Sequence, residues 1–535
     1  MPPSFKEGRF ASLKLEGDEM VISKNGKSLG SLIAILLSCI LWFETPPCAA
    51  QKSEGACFSD DISFEGNRFF DTQTLLSTIR LAKNSSPGTE LLEKDIDRLL
   101  TLYEENGFPY CQISPSHFKM SGQGGLSFSF MVEEGPRVRI NDVHLEGLKT
   151  TKRKVILREL GGDILGFFSQ NRVDAALRRV GRLSYIKEVE EAQLLAKANP
   201  EEGVLKISLV EAKNNALSGI LGYAPSSDGK GSFYGRMELV FDNIFGTGRM
   251  IKWNWSKKDP HSSDFFCLYR EPWVLGFPPT LELKFSQTDY DSTYLKMSFS
   301  ARLMFNPGDR ISWGLEVGLE KVAPGTAGED HIPSSRKLMA GVIFSLDLLD
   351  LPNNPRKGLH YTTELSYAQK RNHPTSFLIT ERQKADLLYY SFDLHHYLPS
   401  FKSQTLFIGS HFRGLNTDEQ VVPISEQFKL GGINSIRGYR EEEFRGTRIA
   451  WVNLEYRFLL NSSARVFLFF DHGYFERSNL SSLDGNYHKI SNRKSGYGFG
   501  LRLDSKLGLL GIDYGLGEED GFSQGKIHFG ITNRF

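Results

Sequence analysis

Twelve histidines, five cysteines and 64 acidic side chains are raw material for several kinds of chemistry, and their spacing removes most of them. The Gly-x-Ser-x-Gly spacing occurs at Gly26–Gly30, inside the apolar amino-terminal region, and at Gly521–Gly525, but neither follows a strand-like run and opens a helical pattern, the setting that raises a nucleophilic serine. No His-Glu-x-x-His and no spaced Cys/His cluster offers a metal site. His395 and His396 are neighbours in a strand-like segment, so they point to opposite faces. An enzyme, a cofactor and a metal are therefore not expected. The residue that does stand out is Arg437, in GGINSIRGYREEEFRG (Gly431 to Gly446). A guanidinium offers rigidly forked donors that fit a carboxylate bidentately. Gly431 and Gly432 lead into it, and Gly438 and Tyr439 follow it. Each glycine would cost a helix up to about 1 kcal/mol, and the charges break strand alternation, so the segment reads as a loop. Gly438 permits close backbone approach. Tyr439 can stack or bond beside the arginine. The plain alternative is a surface loop with a solvated arginine.

The loop lies late in a long series of strand-like segments, which must position it. From about Asn214 onward helical periodicity gives way to alternation. Leu295, Met297, Phe299, Ala301, Leu303 and Phe305 alternate with Lys296, Ser298, Ser300 and Arg302. Trp313, Leu315, Val317 and Leu319 alternate with Ser312, Glu316 and Glu320. Runs of about ten residues suffice for a tilted strand to cross a hydrocarbon core. A soluble sandwich would also alternate, with strands nearer 5 or 6 residues. In lipid a sheet must close on itself, because unpaired backbone groups cost several kcal/mol each. About 320 residues at roughly 20 per strand and loop predict an antiparallel transmembrane β-barrel of about 16 strands over 214–535. A barrel of that size has a wide polar interior that a long loop could enter. The mean hydropathy of -0.31 argues against a bundle of membrane helices, not against a barrel.

Ahead of the barrel, one order of elements occurs twice. DISFEGN (Asp61 to Asn67) ends in Gly66-Asn67, and two helical patterns and two strand-like runs follow up to Pro136. In the second helix Leu91, Leu92, Ile96, Leu99, Leu100 and Tyr103 share one face. VRINDVHLEGL (Val138 to Leu148) restarts the series with the same glycine ending. Two α+β units of β-α-α-β-β at a spacing of about 75 residues, 57–135 and 136–213, form an internal repeat. Before them, the apolar run Leu29 to Phe43 follows Lys24 and Lys27 and precedes ETPPCAAQ. It reads as a secretory signal over 1–50, cut after Ala50, with Met20 an alternative start; a single transmembrane anchor is the competing reading. Export leaves Cys57, Cys111 and Cys267; Cys57 and Cys111 share the first unit and are candidates for a disulfide. Lys and Arg total 64, matching the acids, so no global field attracts nucleic acid.

Several motifs carry a family resemblance. The duplicated unit resembles POTRA domains. GGINSIRGY resembles the lumen loop of the BamA and TamA relatives, also present in two-partner secretion transporters. LVFDNIFGTGR, YREPWVLGFP, LPNNPRKGLHY and the glycine-rich GYGFGLRLDSKLGLLGIDYGLG resemble further stretches of the same family, and Phe535 resembles its aromatic terminus. Asn533 departs from the bulky apolar residue many relatives carry there. The resemblance implies that Arg437 meets Asp471, in Phe469-Phe470-Asp471-His472-Gly473, with Glu455 a second partner. It implies a bacterial outer-membrane pore, with POTRA domains in the periplasm, that inserts, assembles or translocates outer-membrane or secreted client polypeptides. Clients would meet POTRA strand edges, then a lateral seam between first and last strands. Gly525 and Gly530 are expected to weaken that seam, which ends at Phe535. Partners would be clients, the lipid bilayer, and periplasmic accessory or inner-membrane proteins. Two POTRA units are fewer than the assembly family usually carries. The rival within transport is a two-partner secretion transporter for one dedicated protein, against which only a few residues lie between the proposed signal and Cys57 to form a helical plug. The rival of another class, an outer-membrane hydrolase, has no His-Glu-x-x-His, no Cys/His cluster and no Gly-x-Ser-x-Gly between a strand and a helix.

Overall fold

The computed structural model describes residues 13–16, 19–22, 61–80, 89–120, 126–224, 232–259, 262–307, 310–328, 332–351, 354–373, 383–419, 422–461, 463–480, 487–505 and 508–534. Cys57, Phe535 and the proposed signal's apolar run lie outside them. Strands β1 (Leu13–Glu16) and β2 (Glu19–Ile22) pair as a short hairpin. The rest falls into two compact units, essentially residues 3–211 and 212–535.

The first unit holds two α+β domains. In the first, β3 (Asp61–Glu65), α1 (Thr72–Thr78), α2 (Thr89–Glu105), β4 (Gln112–Met120) and β5 (Leu126–Glu133) form a sheet ordered β3-β5-β4. The first strand runs parallel to the last, and β4 antiparallel. Asp71 caps α1 by accepting from Thr74 N at 2.9 Å. Ile96, Leu99, Leu100 and Tyr103 line one face of α2 and are buried with Phe64, Leu75, Ile113 and Phe130. The second domain has β6 (Arg139–Glu146), α3 (Arg153–Leu160), β7 (Gly166–Phe167), α4 (Gln170–Gly181), β8 (Ile186–Ala196) and β9 (Glu202–Glu211), ordered β7-β6-β9-β8. It departs from a plain β-α-α-β-β order. Between the helices the chain extends far enough for Gly166 and Phe167 to pair with Ile140 and Arg139, which adds β7. Ser169 caps α4, whose Val173, Ala176, Leu177 and Val180 face the core at three- and four-residue steps.

The duplication extends to atoms. Gly66 and Gly147 follow the first strands with φ of +86° each. A Cβ at Gly66 would lie 2.4 Å from Val132 O, and one at Gly147 1.9 Å from Leu209 O. Two residues past each glycine a backbone N–H donates to a glutamate two residues past that carbonyl: Arg68 N to Glu134 Oε1 at 2.7 Å, and Lys149 N to Glu211 Oε2 at 3.0 Å. Only glycine fits where a turn crosses so close to the closing strand.

The second unit is an antiparallel barrel of 16 strands. They are β10 (Ala216–Ala224), β11 (Ser232–Ile244), β12 (Arg249–Asp259), β13 (Ser262–Glu271), β14 (Thr280–Tyr290), β15 (Tyr294–Phe305), β16 (Ile311–Pro324), β17 (Ser334–Asp347), β18 (Gly358–His373), β19 (Lys384–Pro399), β20 (Gln404–Thr417), β23 (Arg448–Leu459), β24 (Arg465–Leu480), β25 (Tyr487–Ser505), β26 (Gly508–Gly517) and β27 (Lys526–Arg534). Between β20 and β23, β21 (Phe428–Leu430) and β22 (Phe444–Gly446) form a separate hairpin within the long loop. Trp313, Leu315, Val317 and Leu319 of β16 are exposed on the outer face. Their alternates turn inward, where Glu316 accepts from Arg302 of β15 at 2.6 Å, and Arg302 reaches Glu364 of β18 at 3.0 Å. Apolar out and charged in is the pattern of a barrel in lipid around a wet lumen.

The seam between β10 and β27 is short. Only Ala216↔Arg534, Leu217↔Asn533 and Ser218↔Thr532 pair across it, whereas β26 and β27 share seven pairs and β24 and β25 sixteen. Gly525 and Gly530 do not act there. Gly525 precedes β27, and a Cβ on it would meet the Tyr514 ring at 2.3 Å; Gly530 pairs with Gly511 of β26. The seam is weak because few residues of β10 and β27 are in register, not because glycines sit in it.

Candidate functional site

The loop between β20 and β23 turns back into the barrel. Phe428↔Gly446, Lys429↔Arg445 and Leu430↔Phe444 pair as β21 and β22 and carry the tip. Gly431 and Gly432 take φ of +111° and +96°, a left-handed bend closed to most side chains. The bend is fastened by Gly431 N donating to Ser435 Oγ at 2.8 Å and Gly432 N to Ile436 O at 3.0 Å. Leu430, Ile436 and Tyr439 are thereby packed against Ile449, Trp451 and Phe475 of the wall.

This bend delivers Arg437 to two carboxylates. Its Nε donates to Asp471 Oδ2 and its Nη2 to Asp471 Oδ1, both at 2.7 Å, a bidentate fork. Nη1 donates to Glu455 Oε1 at 2.7 Å, and the backbone N of Arg437 to Asp471 Oδ2 at 3.0 Å. Asn453, opposite Asp471 in the β23–β24 register, donates to Asp471 Oδ1 at 2.7 Å and to Ser435 O at 2.7 Å. Arg457 supports Glu455 at 2.7 Å. The guanidinium carbon stands 3.7 Å from the Phe469 ring centroid, a cation–π contact. Arg437 is 4% exposed and Asp471 0%, so water screens the pair little. Removing one member of such a pair costs about 3–5 kcal/mol.

The wall is cut to receive the backbone. A Cβ on Gly438 would lie 2.4 Å from Leu516 C on β26, and a Cβ on Gly496 of β25 would lie 1.8 Å from Arg437 O. Tyr439 does not stack on the arginine. Its hydroxyl donates to Ser495 O at 3.0 Å and accepts from Glu518 N at 3.2 Å.

A second anchor, absent from the sequence reading, holds the root of the same loop. Lys337 of β17, 4% exposed, donates to Glu426 Oε2 at 2.7 Å and lies 2.7 Å from Glu320 Oε1 of β16. Tyr389 of β19 donates to Glu426 Oε2 at 2.5 Å. Lys370 of β18, 1% exposed, donates to Glu419 Oε1 at 3.0 Å, and Lys296 of β15 donates to Ser425 O at 2.9 Å. Arg445 lies over the Tyr290 ring of β14 at 4.3 Å. The loop thus runs across the lumen, with its root on β14–β19 and its tip on β23–β26.

Sequence reasoning also missed a histidine group, because its members come from different strands. His395 shares the inner face of β19 with His360 and His411 of the adjoining strands, with ring centroids 6.0 and 5.2 Å away. His411 Nδ1 lies 2.6 Å from Asp393 Oδ1, and its ring stacks on Trp451. Among the described residues no group of three or more His, Cys, Asp or Glu is arranged to hold a metal. Cys111 is a half-buried free thiol. Burial first, then the charges of Glu134 and Glu104, push its pKa up to about 12.

The family model described as the surface antigen variable number repeat, POTRA, matches residues 59–135. The outer membrane protein assembly factor BamA of Nitratidesulfovibrio vulgaris is 24% identical over 521 residues, covering 88% of this chain and 60% of that protein. The BamA of Neisseria meningitidis serogroup B is 22% identical over 359 residues, 62% of this chain and 44% of its own length. The chain therefore spans less than two thirds of these relatives. Two solved structures share the fold. BamA from Haemophilus ducreyi lacking POTRA domains 1–3 superposes with a TM-score of 0.51 at 16% identity, covering 89% of this chain and 100% of that one. CdiB from Escherichia coli gives 0.52 at 14% identity, covering 92% and 93%. The Omp85 superfamily domain matches residues 243–535, more than half of the sequence and the span that holds both anchors of the lumen loop, and the chain belongs to that superfamily.

Proposed function

We propose that this chain is an outer-membrane pore that inserts, assembles or translocates other polypeptides. The barrel sits in the bacterial outer membrane and the two amino-terminal domains face the periplasm. Both are read as POTRA modules, with the second, 136–213, assigned from its repeated topology and paired glycine turns. A signal over 1–50 delivers the chain, and accessory proteins join it there. Extended clients pair with open sheet edges. The 11-residue β8 forms one edge of its sheet, and among the described residues no strand pairs with its outer side, which leaves it open to strand addition. The barrel then admits the client at the seam, and no catalytic step or cofactor is needed.

The observation that carries the reading is the three-pair seam. At about 1 kcal/mol net per ladder hydrogen bond, parting it costs only a few kcal/mol, well below any other strand pair of the barrel wall. A barrel built only for passive diffusion has no use for one weak joint beside fifteen strong ones. The test is a disulfide between Ser218→Cys and Thr532→Cys, Cα partners across the seam. In proteoliposomes, oxidation should stop client-barrel insertion and reduction restore it. Unchanged insertion by the oxidised protein would sink the lateral-seam reading. Threading of one dedicated protein through the lumen is separated from assembly by depletion. Assembly predicts loss of many outer-membrane barrels, and secretion predicts loss of a single exported protein.

A further inference from the structure

Four adjacent strands of the barrel bring four basic side chains into one row. Lys321 of β16 pairs in register with Arg336 of β17, Arg336 with Arg371 of β18, and Arg371 with Lys384 of β19. Side chains two residues apart in a strand share a face, which places the row on the outside. Lys321 and Arg336 share their face with Leu319 and Leu338, which oppose each other and are 59% and 58% exposed in the lipid-facing belt. Arg371 shares its face with the exposed Leu365 and Tyr367, and Lys384 with the exposed Leu388. All four basic residues are themselves exposed. They stand at the mouth opposite the one where β10 begins, since β16 and β18 end there and β17 and β19 start there.

Like charges directly opposite one another destabilise a sheet, and here the juxtaposition occurs three times in succession. The inward neighbours are treated differently. Lys337, next to Arg336, is paired with Glu320 and Glu426, and Lys370, next to Arg371, with Glu419. Among the described residues none of the outward four has an ion-pair partner. Asp386, on their face two residues along β19 from Lys384, accepts from the Tyr367 hydroxyl at 2.7 Å. Strands about 4.8 Å apart make the row about 14 Å long, wider than a single phosphate. Lysine and arginine stems lie along apolar surface and hold their charged heads at its water boundary. The counter-charge for this row therefore arrives in the plane of the bilayer, at headgroup height, just beyond Leu319 and Leu338.

We propose that Lys321, Arg336, Arg371 and Lys384 form a binding site for the phosphate groups of an anionic membrane lipid, whose acyl chains lie against Leu319 and Leu338. The length of the row suits a lipid with two phosphates better than a lipid with one. That the lipid belongs to the outer leaflet rests on the orientation proposed above; the binding itself does not.

The full chain, refolded in a neutral detergent, is titrated with lipid A, a glycolipid bearing two phosphates, and bound copies are counted by native mass spectrometry. Saturable binding of lipid A is expected, with none for the zwitterionic phosphatidylcholine. Arg336→Gln combined with Arg371→Gln should weaken lipid A binding about tenfold. Arg249→Gln, in a pair with Glu271 at the other mouth, should leave it unchanged. If the double variant does not refold, Lys321→Gln combined with Lys384→Gln removes the two ends of the same row and should give a comparable loss. Monophosphoryl lipid A should bind more weakly than lipid A. Inorganic phosphate at equal concentration should not displace the lipid; displacement would mark a free-anion site and overturn the lipid assignment. Absence of saturable lipid A binding to the wild-type chain overturns the proposal, as does equal binding by the refolded double variant. Client insertion does not enter the measurement, so its outcome is separate from that of the pore reading.

Discussion

Asp471→Asn tests whether the arginine fork holds the lumen loop in place. Asp471 accepts four hydrogen bonds, three from Arg437 and one from Asn453. Asparagine keeps the size, replaces one acceptor oxygen with a donor, and removes the charge that compensates a guanidinium only 4% exposed. Breaking a buried pair costs about 3–5 kcal/mol, and Glu455 still holds Nη1, so the lower end applies. About 3 kcal/mol raises the undocked fraction of the loop by about two orders of magnitude. The assay is alkylation of Ile436→Cys, at a position 0% exposed in the docked loop, with a maleimide that does not cross the bilayer. Labelling should be about a hundredfold faster in the Asp471→Asn background. A double variant, Arg437→Leu with Asp471→Leu, leaves no uncompensated charge and should label more slowly than Asp471→Asn. Equal labelling rates with and without Asp471→Asn would refute the latch.

Gly496→Ala places a Cβ 1.8 Å from Arg437 O and should expose the same Ile436→Cys probe with every charge intact; unchanged labelling would show that the wall yields instead. Lys337→Met removes the cation beside Glu426 and should free the loop's root while the tip stays docked, read as raised single-channel conductance in planar bilayers with a slow Ile436→Cys probe. The Cys111 thiol, held protonated by burial up to a pKa of about 12, should alkylate at pH 8 about three orders of magnitude more slowly than a free thiol in a Cys57→Ser background. Because its proton is held more tightly folded than unfolded, stability of the first domain should fall as pH rises from about 9 toward 12, followed by circular dichroism.

What the sequence disclosed follows the range of the interactions. Alternation is local, so the barrel was legible from runs such as Leu295 to Phe305, and the doubled glycine turn exposed the repeat. The loop's composition marked Gly431 to Glu443 correctly as neither helix nor strand, but hid that Phe444–Gly446 pairs as β22. The second anchor was not legible, since Lys337 and Glu426 are 89 residues apart and a lone inward lysine looks like any other polar-face residue. Gly438 reads from the sequence as a point of close backbone approach, whereas its counterpart Gly496 on the wall does not, because a backbone-to-backbone crossing leaves no side-chain signature there. Gly525 and Gly530 were placed in the seam by proximity to the C-terminus, whereas strand register, which a one-residue slip reverses, sets who pairs across it. Arg465 and Arg502 oppose each other only through the β24–β25 register, so that pairing of like charges was equally hidden.

The two anchors and the seam explain one another. Among the described residues the loop's side chains engage β14 through Tyr290, β15 through Lys296, β17 through Lys337, β18 through Lys370 and β19 through Tyr389 at the root. At the tip they engage β23 through Glu455, β24 through Asp471 and β25 through Ser495. The chain from β14 to β26 is thereby strapped across its diameter by buried ion pairs that each cost several kcal/mol to break. None of these contacts involves β10 to β13 or β27. Those strands are held by their ladders and by neighbour-strand ion pairs such as Lys252–Glu238 and Arg249–Glu271, and between β10 and β27 the ladder is three pairs long. Strain applied to the barrel therefore concentrates at that seam rather than spreading around the wall. Releasing the strap with Asp471→Asn should let strain distribute and make seam opening less selective. Disulfide trapping at Ser218→Cys and Thr532→Cys should accordingly slow in that background, and an unchanged trapping rate would mean that strap and seam are mechanically independent.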